Sequence, residues 1–120
     1  MLITAGNAFT RWRGRTLGRI TLQFDSAPPL KIDLVLGKNL REWHAANNVI
    51  SSAAGVAEVW RGKIASQPDL TGTLDLLTIE VPDDRRAATL TGIEFDDLSE
   101  SLLQSRDPAF TVAGVTVAQR

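Results

Sequence analysis

Hydrophobic and polar residues alternate with a period of two along most of the chain. In RITLQFD, residues 19–25, Ile20, Leu22 and Phe24 fall on one side and Thr21 and Gln23 on the other, the pattern of a strand with one buried face. SAPPL breaks the alternation, because Pro28 and Pro29 have no N–H to give to a ladder. LKIDLVLG, residues 30–37, resumes it with Leu30, Ile32, Leu34 and Leu36 on one face and Lys31, Asp33 and Val35 on the other. Two adjacent antiparallel strands are predicted here, with further strands over 57–64, 74–82, 88–97 and 109–119. Helix signals are weaker. Residues 39–60 contain alanines, but Asn47, Asn48, Ser51, Ser52 and Gly55 favour turns, so a strand end, an irregular loop and a new strand are expected. Residues 96–108 leave open one or two helical turns before Pro108. Many short strands separated by turn residues describe an all-β sandwich or barrel.

Length and composition narrow this picture to one domain over residues 1–120. A chain of 120 residues with 43% hydrophobic and 22% charged residues is globular in composition. It can bury roughly two thirds of the surface its unfolded form exposes, so it needs neither metal nor disulfide to fold. The absence of cysteine excludes thiol catalysis and zinc sites with sulfur ligands, and leaves the compartment open. A net charge of −1 gives no reason to expect nucleic acid. Arg11, Arg13, Arg15 and Arg19 cluster without an acid around Trp12, which points to a solvated turn or to ion pairs rather than to phosphate. No apolar run approaches the roughly 20 residues of a membrane span, so no membrane partner is expected.

The order of LVLGKNLREW, a strand ending in VWRG, LLTIEVPDDRRAATLTGIEF and FTVAGVTV resembles galactose-binding-domain-like jelly rolls, especially bacterial members of that family. The likeness covers about residues 19–118 and rests on loose hydrophobic patterns. It implies an antiparallel jelly-roll β-sandwich that acts as a non-catalytic binding module, most plausibly for carbohydrate, with structural calcium in some relatives. The family has an additional strand before the equivalent of RITLQF. Either LITAGNAFTRW supplies it, or an edge is left open because the chain is a module of a larger protein or lacks a full first strand. An edge left open would invite a homodimer through Leu2, Ile3 and Phe9.

Candidate chemistry concentrates in the polar half of LVLGKNLREWH, residues 34–44. Leu34, Leu36 and Leu40 are expected in the core, Gly37 at a bend, and Arg41, Trp43, His44 and Asn47 as contacts of a sugar. Trp60, after Val59, is expected at the core or its edge, and Trp12 is the tryptophan expected to be partly exposed, able to stack on an arginine as readily as on a ligand. His44 is the chain's one histidine, with no nucleophile and carboxylate at a spacing that would make it a general base, so no catalytic residue is assigned. Asp96 and Asp97 are hard oxygen ligands, but neighbours in a strand point to opposite faces; no metal ligand is assigned, and structural calcium is left open. The alternative to a carbohydrate module is a protein-interaction or self-assembly module with no small ligand.

Overall fold

The computed structural model describes residues 1–8, 10–44, 55–99 and 108–118. Its strands are β1 (Leu2–Gly6), β2 (Thr16–Phe24), β3 (Leu30–Val35), β4 (Val56–Ile64), β5 (Gln67–Leu77), β6 (Leu90–Asp97) and β7 (Ala109–Gly114). They form two antiparallel sheets, ordered β4-β5-β1-β7 and β3-β2-β6, around one core, as in a β-sandwich. The chain crosses between the sheets at β1→β2, β3→β4, β5→β6 and β6→β7.

The two strands predicted from alternation are paired as expected. Ile20 lies opposite Ile32 and Leu22 opposite Leu30, while Arg19 and Asp33 form a cross-strand ion pair at 2.7 Å. Ile20, Leu34, Leu36 and Leu40 are buried together with Ile3, Ala5 and Leu17. Gly18 allows the sheets to approach closely, because a Cβ there would collide with the Phe110 ring. After β3 the chain turns through Gly37, at φ 82°, and Asn39 closes the turn: its Oδ1 accepts from Val35 N–H (2.8 Å) and its Nδ2 donates to Asp33 O (2.9 Å).

Three expectations change. β1 is not an open edge: it pairs with β7 through Leu2–Gly6 and with β5 at Leu2 and Ile3, so the amino-terminal segment completes the sheet within the chain. The strand expected over 74–82 lies at 67–77, where the two-residue turn Ala65–Ser66 joins it to β4 and a ladder irregularity accommodates Pro68. The last strand stops at Gly114, short of residue 119. The helical turns considered over 96–108 lie largely outside the described residues; within them, Asp97 Oδ1 accepts from both the backbone N–H and the hydroxyl of Ser99.

The two faces of β3 predict opposite outcomes. Leu34→Asp places an unpaired charge in the core and is expected to abolish cooperative unfolding, as followed by circular dichroism. Asp33→Ser removes only an exposed ion pair and is expected to cost no more than about 1 kcal/mol. Equal loss in both variants would contradict the strand's orientation.

Candidate functional site

β1 and β5 are hydrogen-bonded at one end only, and residues 41–44 enter where they part. Ala5 N–H donates to Arg41 O (2.9 Å), Trp43 N–H to Ala5 O (2.8 Å) and Thr73 N–H to Trp43 O (2.7 Å). The segment thus lies parallel to β1 at Ala5–Glu42 and antiparallel to β5 at His44–Gly72.

This wedge carries Arg41 to two acids. Glu58 and Asp75 are register partners on the inner face of β4 and β5, an arrangement in which like charges repel. Arg41 Nε and Nη2 donate to the two Asp75 carboxylate oxygens, each at 2.6 Å, and Nη2 also donates to Glu58 Oε2 at 2.6 Å. Arg61 completes the group by donating to both oxygens of Glu58 at 2.8 Å. Arg41 is 9% and Asp75 3% exposed, so the bidentate pair is largely withdrawn from water. Hydrogen bonds from Arg61 and then Arg41 hold the Glu58 carboxyl down at about 2. Glu42, the next residue along, is buried and accepts from Ala8 N–H at 2.5 Å. Burial pushes its pKa up, only partly offset by backbone N–H groups of Ala8, His44 and Trp43.

Of the expected sugar contacts, Arg41 is therefore committed to the protein's own acids. Asn47 lies outside the described residues. Trp43 and His44 are half-buried and meet edge to face, with ring centroids 5.5 Å apart. Trp12 is partly exposed at the edge of the core, with the Arg11 guanidinium 4.9 Å from its ring centroid, as the sequence suggests. No group of three or more His, Asp or Glu side chains able to hold a metal occurs among the described residues.

Trp60 corrects the sequence reading most. It is 49% exposed rather than part of the core. Trp60 pairs with Leu74, on the outer face of its sheet, and its indole lies over the cross-strand pair Gly62 and Gly72. A Cβ at Gly62 would collide with the ring, and one at Gly72 would stand 3.3 Å from Cζ3. The indole lies against both glycines, and the residue keeps about half its surface (49%) open to solvent. His44, opposite Gly72, occupies the next position across the same sheet, and register partners share a face. Sequence offered Gly62 and Gly72 only as isolated glycines; their meaning appears with the register that places them side by side.

A recess of about 130 Å³ lies between the sheets near Met1, Leu22, Leu77 and Ile93, and Thr116 supplies its one hydroxyl. It lacks convergent polar groups that would orient a ligand. No protein-family model, curated protein or solved structure matches the chain.

The ion cluster yields two predictions. Arg41→Ala leaves Asp75 buried without its cation and is expected to cost about 3–5 kcal/mol in urea unfolding, much of which Arg41→Met combined with Asp75→Leu recovers. A double variant as unstable as Arg41→Ala would contradict this. In an NMR titration Glu42 is expected to protonate above, and Glu58 below, the ordinary value of 4.5. The depressed Glu58 pKa contributes stability that is complete above 4.5 and is lost as pH falls towards about 2, so Glu58→Gln should be less stable than the parent near neutral pH and converge with it in acid.

Proposed function

We propose that the chain is a non-catalytic binding module that takes carbohydrate on the Trp60 face, and that its sandwich is a jelly roll of the galactose-binding-like kind. The observation that carries this reading is the Trp60 indole, held against Gly62 and Gly72 with about half of the residue's surface open. A flat indole offers an apolar face to the C–H side of a sugar ring, and nearby polar groups can then meet its hydroxyls. His44 and Trp43 flank the platform and supply that polar rim. The repeated crossing of the chain between sheets supports the jelly-roll assignment.

The outer face continues from Trp60 through Leu74 to Leu76, which is 37% exposed, and on to its register partners Ala57 and Leu2. This apolar row favours a second reading, in which the same face takes a protein partner and no sugar.

A glycan array probed with the parent and with Trp60→Ala distinguishes them. Carbohydrate binding is expected in the parent and at least about tenfold weaker binding in the variant, with the unfolding temperature little changed because the ring is half exposed. A parent that retains no glycan overturns the carbohydrate reading in favour of the protein-binding one.

A further inference from the structure

We propose that β4 is a pairing edge for a second copy of this chain, joined antiparallel about a two-fold axis between Val59 and Trp60. The inference is independent of the ligand taken by the outer face. Among the described residues β4 pairs only with β5 and none of them forms a ladder on its other side, and none of the β4 residues is buried. Such an edge attracts any extended strand unless something restricts it.

The restriction is also what selects the partner. Between Glu58 and Trp60 the register with β5 shifts, making Val59 an extra residue, a β-bulge. As a result Val56, Glu58, Arg61 and Lys63 face inward, opposite Leu77, Asp75, Thr73 and Thr71, while Ala57, Trp60 and Gly62 face outward. Without the bulge, odd and even positions would keep to opposite faces, and Glu58 could not share a face with Arg61. A bulge and an edge lysine discourage addition of a regular strand. A second β4 carries the same bulge, and an axis through it matches the faces on both sides.

In that register each Glu58 meets Arg61 of the other copy, Val56 meets Lys63, Ala57 meets Gly62 and Val59 meets Trp60. Apart from the bulge residue Val59, inward residues oppose inward residues and outward oppose outward. The charge pattern of the strand, an acid before the axis and bases after it, is therefore self-complementary when reversed. Within one chain Arg61 already contacts Glu58 but keeps about half its side chain (49%) exposed, leaving it open to a second carboxylate. The two four-stranded sheets would become one continuous sheet with both Trp60 rings on the same face.

Sedimentation of the full chain tests this with reciprocal charge reversals. The parent is expected to dimerise by about 100 μM, while Arg61→Glu and Glu58→Arg, each setting like charges opposite one another twice, should associate at least about tenfold more weakly. An equimolar mixture of the two variants should recover a heterodimer, because each arginine then faces a glutamate. A monomeric parent at that concentration overturns the proposal, as does parent-like association of Arg61→Glu or a mixture of folded variants that stays monomeric. Glu58 also serves Arg41, so if Glu58→Arg does not fold, the decision rests on Arg61→Glu against Arg61→Lys. Retained association in the lysine variant and loss in the glutamate variant supports the pairing, and equal behaviour of the two rejects it.

Discussion

Arg41 is the cation on which the four-stranded sheet depends. Glu58 and Asp75 stand opposite one another on the inner face of β4 and β5, and Asp75 is almost fully buried. Two carboxylates so placed repel, and the repulsion grows as water is removed. The guanidinium of Arg41 spans both, and it can do so only because residues 41–44 enter the opening between β1 and β5. The charge requirement therefore fixes the path of the backbone. That path supplies Ala5 and Thr73 with ladder partners that β1 and β5 do not give each other at that point.

The same constraint reaches the outer face. His44 lies opposite Gly72 because Arg41 is anchored three residues earlier, and Gly72 is one of the two glycines against which Trp60 lies. A side chain buried on the inside of the sheet thus places polar and aromatic groups on the outside. Arg41 bears on the outer face only through the backbone, since its guanidinium is held by Asp75 and Glu58.

What could be read from sequence follows from how locally each feature is encoded. β2 and β3 were legible because Ile20, Leu22, Ile32 and Leu34 alternate with polar residues, and a buried face against a solvated one leaves that imprint. β5 was visible only from Leu74 onward, since its first residues, Gln67–Asp69, are exposed and impose no alternation. The interior place of β1 was not legible, because its partners, β5 and β7, lie far along the chain. Arg41 could not be matched to Asp75 across a separation of 34 positions. The sequence around Trp60 points towards the core because large rings usually fill one; here the facing residues are Gly62 and Gly72, which leave the ring room on the outside of the sheet.

A buried ion pair is seldom the most stabilising way to fill such a position, since desolvation offsets much of its attraction. Its advantage here is register. Residues 41–44 touch β1 and β5 through few backbone hydrogen bonds, and an apolar side chain at position 41 would pack against a sheet interior nearly as well after a slip of one residue. Arginine does not allow that. A slip in one direction would set Leu40 against Asp75 and leave the carboxylate unpaired; a slip in the other would set Glu42 there, acid against acid. Either error buries an uncompensated charge, so the bidentate contact excludes both neighbouring registers and holds Trp43 and His44 beside the open tryptophan.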